Sequence, residues 1–232
     1  MKSDSATGRT TQRSEQAAET RRRLLDAAVD AFSERDFDDV SAADIARSVG
    51  VAYGLVYHYF GSKRGVYIEA VRVAADQMSA NFTARPDMPP GRQVREALKN
   101  HFEYLRAHRG FALRLVLAGS GVDPEAWEVF EARRRHSVEW LLQLLDINPD
   151  GEAMRMMGRA FAGAVDATAV HWLESEQPFD VDAVVESLTC IALAAIRAAA
   201  DLDPSIDCDA AEAILSPDST SARAAGKSKP AR

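Results

Sequence analysis

The stretch Ser41-Ala-Ala-Asp-Ile-Ala-Arg-Ser-Val-Gly50-Val-Ala-Tyr-Gly-Leu-Val-Tyr-His-Tyr-Phe60-Gly-Ser-Lys63 decides the fold. Ser41 stands where a helix N-cap is wanted, and the apolar spacing after it predicts a short helix to about Val49. Gly50-Val51 interrupts that helix, and a second short one follows over about residues 52–60. Two short helices around a glycine turn define a helix-turn-helix candidate. Ile45, Val49, Val51, Val56 and Phe60 fall at positions able to share one core, which turns Tyr53, Gly54, Leu55, Tyr57, His58 and Tyr59 outward. Phenol and imidazole groups donate hydrogen bonds to phosphate oxygens, Gly54 admits close backbone approach, and Ser62-Lys63 opens a helix whose N-terminus attracts anions. The competing reading places the same aromatics in the core of an ordinary helical bundle.

Outward from this stretch the chain reads as helix nearly throughout, with no sustained period-2 alternation, so the expected class is all-α. A first helix over about 15–35 buries Leu24, Leu25, Ala28, Val29 and Phe32 as one stripe. A fourth helix over about 62–84 ends at Arg85-Pro-Asp-Met-Pro-Pro-Gly91, whose prolines make it the expected seam between subdomains. Further helices are expected at about 91–107, 110–119, 124–146, 151–175 and 180–200. The expected organisation is a flexible arm over 1–18, a helix-turn-helix domain over 19–66, a helical body over 67–202 and a disordered tail over 203–232. The tail is rich in Ser, Ala, Pro, Asp and Lys and holds one weak apolar turn, Ala213-Ile214-Leu215.

At 232 residues and 47% hydrophobic content, the chain has enough apolar surface for a sizeable core. Cys190 and Cys208 make neither a disulfide framework nor a zinc spacing, which suits a reducing cytoplasm. The polar N-terminus lacks the apolar region of a secretory signal, and no segment has the roughly 18 uninterrupted apolar residues of a membrane span. A soluble, cytoplasmic protein with no membrane partner is expected. The net charge of −7 is unevenly spread: residues 1–75 hold 11 Lys and Arg against 11 Asp and Glu, and residues 76–232 hold 17 against 24. The acidic excess therefore lies outside the first third, where Arg9, Arg13, Arg21, Arg22, Arg23, Lys63 and Arg64 can face phosphates.

Ile45-Ala46, Gly50-Val51, Gly54-Leu-Val-Tyr-His-Tyr-Phe60 and Ser62-Lys63, with the upstream stripe Leu24 to Phe32, resemble the DNA-binding signature of the TetR family of bacterial regulators. The resemblance covers about residues 20–70; beyond it, only length and helical plan agree. It implies a three-helix DNA-binding head with residues 53–59 as the recognition helix in the major groove. By position, Ala52, Tyr53, Gly54 and Leu55 would lie nearest base edges. Ser41, Tyr57, Tyr59 and Lys63 would hold phosphates, His58 would do either, and Arg21 to Arg23 would add backbone or minor-groove contacts. Three positions depart from the family pattern. Ala52 replaces a capping Ser or Thr, a loss of about 1 kcal/mol for the recognition helix. Asp36 stands where Gly often ends the first helix, although Asp accepts left-handed geometry better than most residues. Arg64-Gly65 stands where acidic residues are common.

The resemblance also implies a body that binds a small-molecule effector and pairs with a second copy through its last two helices. The small residues Gly158, Ala160, Ala162, Gly163, Ala164 and Ala167 permit close helix approach, and Val181, Val184, Val185, Leu188, Ile191, Ala192, Ala195 and Ile196 form a wide apolar stripe. Burial within one monomer accounts for both stripes equally well. Candidate pocket residues are Phe102, Leu105, Arg114, Trp127, Phe130, His136, Trp140, Met157, Phe161 and Trp172, though such residues at helical spacing serve an ordinary core as readily. An aromatic-lined site favours an apolar or planar compound.

The expected function is a homodimeric transcriptional repressor, released by an effector from a near-palindromic operator in double-stranded DNA. An activator shares every one of these features. A helical protein-interaction module without specific DNA binding is the further alternative, and weak salt dependence would mark it. No catalytic role is expected: Gly119-Ser120-Gly121 lacks the GxSxG spacing, and Walker, HExxH and Rossmann patterns are absent. His101 and His108, with Glu103 nearby, form a lone pair more in keeping with structure than with a metal site. No cofactor is expected.

Overall fold

Helix α1 (Asp4–Glu34) buries Leu24, Leu25, Ala28 and Phe32, none more than 7% exposed, on the face set by their i, i+4, i+8 spacing. Val29, expected in the same stripe, is only half-buried. In this computed structural model, which describes residues 4–80, 82–110, 113–114 and 123–216, every regular element among the described residues is helical. After α1 come a 3-10 turn (Phe37–Asp39), α2 (Ala42–Ser48), α3 (Gly54–Phe60), α4 (Lys63–Ser79), α5 (Pro90–Ala107), α6 (Pro124–Leu144), α7 (Glu152–Glu174), α8 (Val181–Leu202) and α9 (Cys208–Leu215). The helix expected over 110–119 falls mostly outside the described residues, as does Gly119-Ser120-Gly121. Helix α1 begins well before residue 15 and runs through most of the arm expected to be flexible. No proline interrupts that segment, and Arg22 pairs with Glu19 at 2.7 Å and with Asp26 at 2.8 Å along the helix surface.

The chain forms two compact units. The first joins Met1–Ala75 to His108–Phe130. Its core gathers Leu24, Ala28, Ile45, Val56, Val66, Ala70 and Val71, all at 1% exposure or less. Burying a side chain of the Leu, Ile or Val class contributes about 1.5–3 kcal/mol each. Gly50 and Gly61 end α2 and α3 with φ of +70° and +75°, a left-handed backbone that a Cβ disfavours. Asp36 does not take that geometry: it is extended at φ −66° and ψ 156°, and its carboxylate receives the Arg114 guanidinium. The 108–130 segment belongs here because its polar groups bond to this unit. Arg114 donates to the Ser33 and Glu34 carbonyls, and Arg64 grips Asp123.

The second unit comprises Asp76–Ala107 and Glu131–Arg232. Helix α8 packs on α7, α5 and α9 through Val184, Val185, Leu188, Ala192, Ile196 and Ala199. It is long and apolar enough by composition to cross a membrane, but this face is covered by protein. The proline-rich stretch 85–91 is not the seam between units. Buried Gln93 pins it, accepting from the Arg85 amide at 2.8 Å and donating to the Met88 carbonyl at 2.8 Å. The expected disordered tail is also corrected over 203–216. Asp207 caps α9 by accepting from the Asp209 and Ala210 amides, Ala211 and Leu215 are buried, and Arg197 pairs with Glu212 at 2.6 Å. Residues 217–232 lie outside the described residues.

Candidate nucleic-acid interface

Helix α3 is anchored by Val56 at 0% exposure, with Leu55, Tyr59 and Phe60 half-buried around it, which leaves Gly54, Tyr57 and His58 exposed on the helix. Helix α2 braces it. Ser41 caps α2 in a reciprocal box: its Oγ accepts the Asp44 amide at 3.1 Å while Asp44 Oδ2 accepts the Ser41 amide at 3.2 Å. The bonds from Ser41 hold the Asp44 carboxyl below its usual range. Arg23 Nη2 donates to the Val49 carbonyl at 2.7 Å, tying α1 to the end of α2 beside the Gly50 turn. Ser62 caps α4 through the Gly65 amide at 2.9 Å.

The missing cap at Ala52 is made good by backbone alone. No side chain caps α3; the Leu55 amide reaches the Ala52 carbonyl at 2.9 Å and the Val56 amide reaches Tyr53 at 3.2 Å. Ala52, Tyr53, Gly54, Tyr57 and His58 are exposed, whereas Leu55 and Tyr59 are half-buried. Tyr53 and Tyr57 stand 52% and 43% exposed, with their rings 5.0 Å apart edge to face. A hydrogen bond between their hydroxyls holds the Tyr53 phenol above its ordinary value. Gly54 opens the helix with empty space around it, since a Cβ built there meets nothing within 4 Å. The protein's own packing therefore does not require glycine at this position.

Lys63, Arg21 and Arg22, expected at phosphates, are engaged within the unit. Lys63 Nζ sits 4.3 Å from the Phe37 ring centroid, a cation–π contact, and 3.4 Å from the Asp38 carbonyl. Arg21 pairs with Glu69 at 3.0 Å and lies 5.0 Å from the Phe60 ring centroid, and Arg22 is taken by Glu19 and Asp26. Ser41 gives its hydroxyl proton to Asp44 at 2.7 Å, which leaves no hydroxyl donor for a phosphate in this arrangement. The exposed groups on α3 are thus the Tyr53 and Tyr57 phenols, which hydrogen-bond to each other, His58 and the open backbone at Gly54.

Sequence reasoning missed the Arg64 link. Arg64 Nε and Nη2 reach the two Asp123 carboxylate oxygens at 2.6 and 3.0 Å, and Nη1 reaches Glu125 at 2.9 Å. Asp123 also accepts the Glu125 and Ala126 amides, which caps α6. Burial raises its carboxyl, but the Arg64 bond and those amides outweigh burial and hold it below the ordinary value. The first turn of α4, next to the recognition segment, is thereby fastened to the first turn of α6. Arg64 looks like an isolated departure in sequence because its partner lies 59 residues away.

The pocket candidates do not form one group. Arg114, Trp127 and Phe130 belong to the first unit, where Arg114 is fixed on Asp36 and the rings of Trp127 and Phe130 lie 5.4 Å apart. Phe102, Leu105, Trp140, Phe161 and Trp172 are buried in the second unit, Met157 is half-buried there, and His136 is exposed. Phe102 and Trp172 meet edge to face at 5.5 Å. His101, read as half of a lone histidine pair, joins the same rings: it lies 6.0 Å from Phe102 and 5.9 Å from Phe82, which is 5.6 Å from Trp140.

A capped bracing helix, a left-handed glycine turn and a short second helix exposing phenols, imidazole and open backbone define a helix-turn-helix DNA-binding transcriptional regulator. Residues 24–70 match the family described as bacterial regulatory proteins, tetR family, and residues 90–195 match the tetracyclin repressor-like C-terminal domain. The chain belongs to the TetR family of bacterial transcriptional regulators. The HTH-type transcriptional activator FasR of Mycolicibacterium smegmatis is 22% identical over 173 residues, 72% of this chain and 78% of FasR. The biofilm operon negative transcriptional regulator IcaR of Staphylococcus aureus is 32% identical over 57 residues, 25% of this chain and only 31% of IcaR. Among solved structures, a tetR-family regulator from Streptomyces coelicolor shares the fold at a TM-score of 0.71 and 24% identity, over 82% of this chain and 85% of that one. The regulator FadR from Bacillus subtilis, solved with stearoyl-CoA, does so at 0.58 and 20% identity, over 72% and 94%.

Proposed function

We propose that this regulator is a homodimeric repressor that leaves a near-palindromic operator when a small molecule binds its second unit. The observation that carries the reading is the exposed face of α3, where Tyr53 and Tyr57 stay 52% and 43% exposed and, among the described residues, stack only on each other's rings. In this reading Ala52, Tyr53, Gly54 and Leu55 approach base edges, while Tyr57, His58 and Tyr59 meet phosphate and groove edge. None of them offers the bidentate fork of Arg on guanine, so shape and van der Waals contact carry much of the specificity.

Pairing is supported by what α7 and α8 leave uncovered. Met156, Ala160, Gly163 and Ala167 line one exposed face of α7, and Ala183, Ser187, Cys190, Ile191 and Ala194 line one of α8. Small and apolar residues at these spacings suit helix-on-helix packing with a second copy. Twofold pairing sets two reading heads about one DNA turn apart, roughly 34–36 Å. The effector part of the reading is supported by FadR of the same fold, which was solved with stearoyl-CoA. The Arg64–Asp123 link supports a lever, because displacement of α6 would drag the first turn of α4 beside Lys63. Coupling of roughly 1–3 kcal/mol is enough for such a switch.

Selection of bound duplexes from random DNA, followed by salt titration and a count of protomers per duplex, tests this reading. A near-palindromic site, two protomers and a steep fall of affinity with salt are expected. A folded protein that enriches no sequence would return α3 to protein contact. Release of that DNA across an unbiased compound library tests the effector. Transcription from a promoter carrying the site separates repression from activation, the second reading, which the match to the activator FasR over 72% of this chain favours.

A further inference from the structure

Two polar atoms in the second unit are buried without a hydrogen-bond partner inside one cluster of rings. Trp140 Nε1–H is a donor on a side chain only 8% exposed, and nothing among the described residues accepts from it. Its neighbour in type, Trp172, shows the ordinary solution, donating Nε1–H to the Phe179 carbonyl at 2.8 Å. His101 Nδ1 is the second such atom. The His101 ring already bonds to the Met78 backbone near the end of α4, so with Nδ1 unpaired the bonding nitrogen is Nε2. An Nε2–H donated to a carbonyl fixes the tautomer and leaves Nδ1 as a bare acceptor.

The two rings that carry these atoms pack on the same phenyl ring. Phe82 stands edge to face with His101 at 5.9 Å and with Trp140 at 5.6 Å, while Phe102 and Trp172 continue the apolar wall. An unpaired donor and an unpaired acceptor in apolar surroundings are a standing cost that a complementary partner removes. We propose that Trp140 Nε1 and His101 Nδ1 are the hydrogen-bonding anchors of the effector site, and that the effector is a neutral, mainly apolar molecule bearing a hydroxyl group. A hydroxyl group serves either anchor, giving its proton to Nδ1 or taking Nε1–H on an oxygen lone pair. Burial pushes the His101 ring down to about 4, so it is uncharged near neutral pH and no member of this ring cluster offers charge to an anion. A carboxylate entering here would bury an unpaired charge. This assignment rests on the reading that the second unit takes a small molecule.

The test is equilibrium dialysis of the full chain against two matched sets: naphthalene, 2-naphthol and 2-naphthoate, and octane, 1-octanol and octanoate. Within at least one set the alcohol should bind about tenfold or more tighter than its hydrocarbon and its carboxylate, as one or two buried hydrogen bonds allow. Trp140→Phe keeps the ring and removes the donor. His101→Gln keeps a donor able to reach Met78 and removes the Nδ1 acceptor. Each should erase most of the alcohol preference while hydrocarbon binding and the thermal midpoint stay near wild type. Hydrocarbon or carboxylate binding as tight as the alcohol, no binding by any of the six, or a preference that survives both substitutions would overturn the assignment. If one substitution prevents folding, the other variant and the wild-type preference still decide. Compounds without a hydroxyl that release DNA in the library screen would keep the effector reading while removing this one.

Discussion

Two groups of aromatic and imidazole side chains sit in this chain, and they have opposite surroundings. On α3, Tyr53, Tyr57, His58 and Tyr59 ride on a seven-residue helix anchored by Val56 and stay wholly or partly open to solvent. In the second unit, Phe82, Phe102, Trp140 and Trp172 are at most 8% exposed, and Phe82 and Phe102 pack against the His101 ring. Similar chemistry is spent in one place on a surface and in the other on an interior. Truncation of a ring should therefore cost little stability in the first group and much in the second.

The largest effect expected is on stability. Phe102→Ala, at 0% exposure, should cost about 3–5 kcal/mol by chemical denaturation, whereas Tyr53→Ala should stay within about 0.5 kcal/mol of wild type. Equal losses would erase the contrast. Acid sharpens it next. The unfolded chain protonates His101 near 6.5 and the folded chain only near about 4, so the contribution is full above pH 6.5 and declines as pH falls toward 4. That decline amounts to about 3 kcal/mol, and His101→Gln should flatten it. A denaturation series across that window in both proteins reads the difference directly.

Smaller effects belong to the exposed group. Tyr57→Phe should weaken operator binding by about 1 kcal/mol, some fivefold, with an unchanged thermal midpoint; unchanged affinity would remove Tyr57 from the contacts. Gly54→Ala is the most discriminating small change. A Cβ meets nothing there, so the substitution should stabilise the head by about 0.5–1 kcal/mol while lowering DNA affinity if backbone approaches the duplex at this point. A gain in both quantities would show that Gly54 has no such role.

The head was legible because its signals are local. Ser41, Gly50 and Gly61, with the spacing of Leu24 to Phe32 and Ile45 to Val56, each act within a few residues. Helices α5 to α8 were also legible from their flanking prolines, glycines and acidic caps, with ends within about two residues of expectation. What sequence did not reveal depends on distant partners. Arg114 on Asp36 and Arg64 on Asp123 fold the 108–130 segment into the first unit across 78 and 59 residues. The prolines of 85–91 imitate a domain seam, and only buried Gln93 shows the loop to be pinned. Helix α9 offered one apolar turn, and its support from Arg197 and Arg95 is again long-range. The same holds for His101, whose place among the rings follows from the packing of α5 rather than from its own neighbours in sequence.

The most direct measurement is DNA selection run in parallel with the wild-type protein and with the Tyr53→Ala/Tyr57→Ala double variant, after equal thermal midpoints are verified. The wild type should enrich a near-palindromic site with half-sites about one turn apart, and the double variant should enrich none. Recovery of the same site at the same affinity by both proteins would contradict the claim that the exposed face of α3 reads DNA.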